Sequence, residues 1–229
     1  TKVDKSYDAC LQHVINLAAV IMARTNMSAA PIVTNMCLVA TIRALKFHGG
    51  VARENLSEEN LEALEKGLTN LDRHITNIRD HYGVPAVVSI NQFIADTQAE
   101  IDLIVEHCRV RGIQVALSSH WANGGAGATE LAEMVVSLCD ADETPANTPH
   151  QSFVYPDSAT LFEKVESVAT KIYGASEVTA NAKVRTRLKE LADEGYSHLP
   201  ICIAKTQYSF STDPALKGAP SGHAMDIRE

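Results

Sequence analysis

Two aromatic residues, Phe93 and Trp121, stand where apolar runs give way to polar sequence. Phe93 follows the run Val84–Ile90, and Trp121 follows the run Ile113–Leu117. Two rings across one crevice can hold a flat heteroaromatic ring, because offset stacking and apolar burial both favour that arrangement. Since aromatic residues make up only 5% of the chain, the pair predicts a binding site for a flat ligand. The alternative is that both rings belong to the core beneath loops.

A glycine-rich segment follows Trp121 and precedes a predicted helix. Its backbone N–H groups are unhindered and lie near a helix N-terminus, which suits an anion or a flat ligand that approaches the backbone closely. The candidate residues of this segment are Asn123, Gly124, Gly125 and Gly127. The spacing matches neither GxGxxG nor GxxxxGK[ST], so a flexible turn is the open alternative.

Basic residues lie at two other predicted strand exits. Arg43 and Lys46 follow a predicted strand at Thr34–Ala40, and Lys205 follows a predicted strand at Leu199–Ala204. These three side chains could neutralise a phosphate or carboxylate group. A solvated connection is the alternative for the segment after the first strand. Because no histidines have the spacing of a helical metal site and no HExxH occurs, we expect no metal bound by protein ligands.

The aromatic pair would be positioned by a βαβ unit. The near-continuous apolar run before Phe93 is typical of a strand covered on both faces. Thr97 and Glu100 form a capping-box pattern that opens a helix, and Asp96 before it could orient a polar group or interact with the helix dipole. If both strands are parallel, their carboxyl ends meet at one edge of the sheet, where open α/β sheets bind ligands.

Apolar spacing predicts the remaining elements and a division of the chain. Helices are predicted at Asp4–Arg24, Ser57–Ile78, Thr129–Cys139, Ser158–Tyr173 and Asn181–Glu194, with a short final strand within Ala224–Arg228. We expect an N-terminal helix in residues 1–33, a mostly parallel α/β domain in 34–140, a proline-containing linker in 141–157 and a smaller helical or α+β segment in 158–229.

Bulk composition narrows the class of protein. A net charge of −8, with no block of five like charges, argues against a nucleic acid as the main partner. No segment is long and apolar enough to predict a membrane span. Five scattered cysteines without a CxxC pair predict small buried side chains in a reducing compartment. We therefore expect a cytoplasmic protein, a homo-oligomer, with small-molecule substrates.

Five long motifs are specific enough to suggest a family. They are IRALKFHGGV (Ile42–Val51), NLEALEKGLTNLDRHITNIR (Asn60–Arg79), GVPAVVSINQF with the following Asp-Thr (Gly83–Thr97), WANGGAG (Trp121–Gly127) and LPICIAKTQYSFSTDP (Leu199–Pro214). Together they resemble the central part of formate–tetrahydrofolate ligase, also called formyltetrahydrofolate synthetase. The resemblance runs from about Leu38 to Arg228, whereas residues 1–33 do not resemble the family.

The resemblance implies a fold of the P-loop NTPase class and a reaction of one-carbon metabolism. Such enzymes make 10-formyltetrahydrofolate from formate, ATP and tetrahydrofolate through formyl phosphate, with Mg²⁺ on the nucleotide and a monovalent cation as activator. The family's folate-stacking aromatic residues fall on Phe93 and Trp121. Its nucleotide and folate pockets fall near Asn91, Ser119 and the glycine-rich segment.

Two departures from the family bear on function. Ile94-Ala95 stands where the family usually has Pro-Thr, and Asn123 stands where it usually has lysine. The phosphate loop of the family is not part of this sequence, so nothing here would hold the β- and γ-phosphates. The resemblance therefore predicts a truncated or diverged ligase, and the alternative is a non-catalytic module for folate or nucleotide binding or for oligomerisation.

Overall fold

A three-stranded parallel sheet forms the centre of the computed structural model, which describes residues 36–140, 154–203 and 208–228. Its strands are β1 (Met36–Ala40), β2 (Ala86–Asn91) and β3 (Gln114–Ser118), in the order β1-β2-β3. Leu38 pairs with Val88, which pairs with Val115. The apolar runs before Phe93 and Trp121 are therefore neighbouring parallel strands, as predicted, and the α/β class is confirmed.

Helices connect and flank these strands. They are α1 (Ile42–His48), α2 (Leu61–Thr76, extended by a π turn over Asn77–His81), α3 (Gln98–Val110), the short α4 (His120–Asn123) and α5 (Thr129–Asp140). Side chains of α2 and α3, such as Leu64 and Ile104, are fully buried against the strand residues Val88 and Ile90. The crossover helices thus supply the core on which the sheet rests.

Two features of the predicted path from β1 to β2 were wrong. The segment after β1 is not a polar loop but helix α1, because Thr41 caps it by accepting a hydrogen bond from the Ala44 N–H while Ile42 and Leu45 enter the core. The next helix is capped by Asn60, not by Ser57, since the Asn60 side chain accepts from the Ala63 N–H at 2.9 Å.

The part of the chain after residue 153 contains a second, smaller parallel pair. Its elements are α6 (Leu161–Lys171), β4 (Glu177–Ala180), α7 (Ala182–Asp193) and β5 (Ala224–Ile227), with β4 and β5 paired in parallel. The predicted final strand is confirmed as β5. The predicted strand at Leu199–Ala204 is wrong over its described residues: the Ile201 N–H bonds the Tyr155 hydroxyl and the Leu199 carbonyl accepts from Lys164, so these backbone groups are satisfied by side chains.

The segment after β4 and α7 returns to pack on α2. Asn70, which is buried, donates hydrogen bonds to the Ser209 hydroxyl at 2.9 Å and to the Gly218 carbonyl at 2.8 Å. The ring of Phe210 lies 4.4 Å from that of His74. One core cluster therefore includes residues from both sides of the 141–153 gap.

The remaining expectations are met in part. Residues 1–35, which include the predicted first helix, and most of the predicted linker lie outside the described residues. No disulfide links the four described cysteines. Cys108 is buried and Cys37 half-buried, but Cys139 and Cys202 are exposed, contrary to the prediction, because α5 buries none of its residues and the Leu199 segment lies near the surface. Within the described ranges, the structure has no helix of the length and apolarity needed to cross a bilayer.

Candidate functional site

The exits of β2 and β3 lie side by side at one edge of the sheet. Asn91 pairs with Ser118 at the ends of the two strands, and the Gln92 N–H donates to the Ser118 carbonyl at 3.0 Å. Phe93 and Trp121 follow these ends by two and three residues. The predicted common edge is confirmed, because parallel pairing continues to the last residue of both strands.

The two aromatic side chains differ in exposure. Phe93 is half-buried, whereas Trp121 is 81% exposed. The ring contacts among the described residues do not include a contact between Phe93 and Trp121. A largely exposed tryptophan is unusual, since this side chain is highly buried on average. The sandwich of a flat ring between the two remains a prediction.

A tight turn holds Phe93 at the exit of β2. The Phe93 N–H donates to Asp96 Oδ2 at 2.8 Å, and the Asp96 N–H donates to the Phe93 carbonyl at 3.0 Å. Burial raises the pKa of Asp96 above its ordinary value, and the Glu100 charge adds to the rise; the Phe93 N–H and the charges of Lys46 and Arg43 oppose it. The turn leaves Ile94 96% exposed, so side-chain packing does not fix its outer part.

A second closed loop carries Trp121. The Ser119 N–H donates to the Gly127 carbonyl at 2.9 Å, and Asn123 Nδ2 donates to the Ser119 hydroxyl at 2.9 Å. Within this loop Asn123, Gly124 and Gly125 are exposed. Ser119 and Asn123 thus have local partners inside the loop, and their predicted contact with a nucleotide or anion stays a prediction.

The glycines of the loop have different structural reasons. A Cβ atom at Gly127 would lie 2.6 Å from the Ser119 carbonyl carbon, so loop closure itself requires glycine there. Gly124 has φ +58, a conformation that side chains with Cβ rarely adopt. A Cβ at Gly125 would meet nothing within 4 Å. Gly125 is therefore the glycine whose open surroundings suit a ligand that approaches the backbone.

The basic candidates have separate environments. Lys46 is 1% exposed, with its Nζ 2.8 Å from Glu100 Oε1 and donating to the Glu58 carbonyl at 2.8 Å. The structure thus gives its charge a partner inside the fold. Arg43 is half-buried on α1, and Lys205 lies outside the described residues. Charge neutralisation of a ligand by these three residues stays a prediction.

Glu100 has a larger role than its place in a capping box suggested. The predicted box with Thr97 is present, and Glu100 is fully buried. Its Oε1 accepts from the Asn60 N–H at 3.1 Å as well as from Lys46, and its Oε2 accepts from the Thr97 N–H at 3.2 Å. Sequence reasoning missed these partners, because Lys46 and Asn60 are distant in the chain and no local pattern links them to Glu100.

The groups implied for ATP chemistry find no matching set among the described residues. In residues 36–140, 154–203 and 208–228, no three or more histidine, cysteine, aspartate and glutamate side chains are grouped to hold a metal ion. A cavity of about 320 Å³ lies between the end of α1 and the start of α2, and its charged lining residues are Glu58, Glu59, Glu62 and Lys66. Three carboxylates there disfavour a phosphate group, so we assign no phosphate chemistry to this region.

Comparison with known proteins identifies the family. The family model for formate–tetrahydrofolate ligase matches residues 18–229, beginning earlier than the Leu38 start of the sequence resemblance. The chain is 53% identical over 192 residues to the formate–tetrahydrofolate ligase of Methylibium petroleiphilum, and 55% identical over 192 residues to that of Methylococcus capsulatus. These alignments cover 84% of this chain but only 34% and 33% of the relatives, so the chain spans about a third of their length. The chain belongs to the formate–tetrahydrofolate ligase family.

Proposed function

We propose that this chain carries the folate-binding part of a formate–tetrahydrofolate ligase, with the pterin ring bound between Phe93 and Trp121. The observation that supports it most is the parallel pairing of β2 and β3 up to Asn91 and Ser118, which brings both aromatic loops to one edge of the sheet. A pterin is a flat, partly apolar ring, and covering an indole that is 81% exposed with such a ring removes apolar surface from water.

The polar groups around this edge suit the rest of a pterin. Asn91 and Ser119 lie at the strand ends, each partly accessible, and an amide and a hydroxyl can donate to and accept from the nitrogen and oxygen atoms of the ring. The open space beside Gly125 allows a ligand close to the backbone. Arg43, Lys46 and Lys205 are the proposed sources of positive charge for carboxylate or phosphate groups of the substrates.

In the whole protein the proposed reaction is the ATP-dependent conversion of formate to formyl phosphate, followed by formyl transfer to tetrahydrofolate. Mg²⁺ and a monovalent cation would accompany the nucleotide, as the family implies. The described residues offer no phosphate loop and no metal-ligand set, so phosphate transfer is not assigned to them. We also propose that the sheet belongs to a P-loop NTPase-like fold and that the protein is a cytoplasmic homo-oligomer.

Trp121 provides the test of folate binding, because it is the only tryptophan of the chain. Adding tetrahydrofolate should quench its fluorescence in a saturable way, and Phe93→Ala should weaken the apparent affinity by about tenfold, since one stacking face and its buried area are lost. Titration of N-acetyltryptophanamide corrects for absorption by the ligand. Tyr196→Ala, which removes an exposed aromatic residue outside both loops, is the matched control. Wild-type fluorescence that stays unchanged at every ligand concentration would remove the folate site.

A non-catalytic binding module is the second candidate, favoured by the lack of a GxxxxGK[ST] motif in this sequence. The discriminating measurement is the release of ADP from ATP that depends on both formate and tetrahydrofolate. A module should bind folate but release no ADP above the background without formate. Formate-dependent ADP release by the purified chain would instead assign the complete reaction to it.

A further inference from the structure

The turn between β2 and α3 is anchored at both ends by backbone hydrogen bonds. At its start the Gln92 N–H bonds the last residue of β3, Ser118, at 3.0 Å. At its end the Thr97 N–H bonds Glu100 Oε2 at 3.2 Å. Between these anchors the Phe93 N–H donates to Asp96 Oδ2 at 2.8 Å. The backbone of Phe93 is therefore fixed by a carboxylate of its own turn.

The carboxylate of Asp96 lies in an environment that the interior controls. It is half-buried, and the charged groups acting on it are Glu100, Lys46 and Arg43. Glu100 and Lys46 form a fully buried ion pair whose Nζ and Oε1 atoms are 2.8 Å apart. Because α1 carries Lys46 and α3 carries Glu100, the base of the turn is tied to two crossover helices and cannot shift independently of them.

The direction of the Phe93 ring depends on this hydrogen bond. The backbone at Phe93 sets the direction of its Cα–Cβ bond, and a stacking site must be held to within about half an ångström of its productive geometry. The neighbouring Ile94 is 96% exposed and contributes no packing that could replace the bond. A charge-assisted bond is about twice as strong as a neutral one, so Asp96 is the group best placed to keep the turn rigid.

We propose that Asp96 is a positioning residue that fixes Phe93 for its flat ligand through the Phe93 N–H, an inference that rests on the proposed folate site. Asp96 acts here through the backbone of Phe93, without touching the ligand. A residue that contacts the ligand through its negative charge would respond differently to substitution. Asparagine keeps an oxygen that accepts from the Phe93 N–H but removes the charge, whereas alanine removes both.

The experiment compares Asp96→Asn and Asp96→Ala in the full chain by titrating tetrahydrofolate against Trp121 fluorescence. Asp96→Ala should weaken the apparent affinity by about tenfold, and Asp96→Asn should restore it to within about threefold of the wild type. Asp102→Ala is the control, since Asp102 is exposed on α3 and bonds only the Gln98 amide. Equal loss in the asparagine and alanine variants would overturn the proposal in favour of a charge that meets the ligand directly.

A second readout separates this proposal from the proposed function. Hydrogen exchange of the Phe93 amide, followed by NMR without folate, should be about tenfold faster in Asp96→Ala and close to wild type in Asp96→Asn. If the wild type shows no folate-dependent quenching, the folate site fails while the exchange data still test how Phe93 is held. Unchanged exchange in Asp96→Ala would overturn the positioning role whatever the quenching shows.

Discussion

Replacing Glu100 with glutamine is expected to lower the free energy of unfolding by roughly 3 kcal/mol, because it leaves a buried ammonium group without its counter-charge. Lys46 is 1% exposed and Glu100 is 0% exposed. The same carboxylate accepts the N–H groups of Asn60 and Thr97, so one substitution weakens contacts to three parts of the chain. Urea denaturation of the wild type and the variant measures the loss.

The exposed pair of Glu62 and Lys66 supplies the matched control. Their side chains are 80% and 64% exposed, with Oε1 and Nζ 2.6 Å apart. Glu62→Gln should change the free energy of unfolding by less than about 0.5 kcal/mol, because water screens the pair. Equal losses in Glu62→Gln and Glu100→Gln would contradict the role assigned to burial.

The buried pair also gives stability a pH dependence of defined sign. Burial acts to raise the pKa of Glu100, but hydrogen bonds from Lys46 and from the N–H groups of Asn60 and Thr97 lower it below the ordinary value of 4.5. A carboxyl group with a lowered pKa in the folded state stabilises the fold above its ordinary pKa, and this contribution is lost as the pH falls through the lowered value. In acid, the wild type should therefore lose more stability than Glu100→Gln.

Replacing Gly67 with alanine should destabilise the chain by about 2 kcal/mol, although alanine normally favours a helix over glycine by about 1 kcal/mol. A Cβ atom at Gly67 would lie 1.8 Å from the Leu45 carbonyl oxygen, and one at Gly49 would lie 1.7 Å from the Ala63 carbonyl oxygen. The contact is backbone to backbone, so rotation of a side chain cannot relieve it. Helices α1 and α2 would have to separate.

Glu65→Ala is the control for helix propensity, because Glu65 is exposed on the same helix. It should leave the midpoint of thermal unfolding nearly unchanged, whereas Gly67→Ala should lower it by several degrees. A rise in the midpoint for Gly67→Ala would show that helix propensity outweighs the close approach, and the described contact between α1 and α2 would be wrong.

Elements with a local signal could be predicted from the sequence. The apolar runs before Phe93 and Trp121 predicted β2 and β3, and the capping box of Thr97 and Glu100 predicted the start of α3. Helix α1 was missed because its seven residues are too few to show a period clearly, and its basic residues favoured a loop interpretation. The Leu199 segment was misread because its apolar run was strand-like, while Tyr155 and Lys164 bond its backbone from a distance.

The candidate site divides in the same way. Its position at one edge of the sheet followed from strand order alone, since parallel neighbours end together. The engagement of Lys46 with Glu100 did not follow, because it joins α1 to α3 through the interior and neither local sequence contains the other residue. Apolar periodicity reports which face of an element is buried, but it does not report which buried charges meet.

The return of the C-terminal segment to α2 has a consequence for how the protein is made. Asn70 finds its acceptor at Gly218, a residue 148 positions further along the chain. Synthesis runs from the N-terminus, so α2 leaves the ribosome long before the residues that complete its buried side, and contacts of such sequence separation form slowly. During that interval the incomplete surface of α2 is open to chaperones and to other nascent chains.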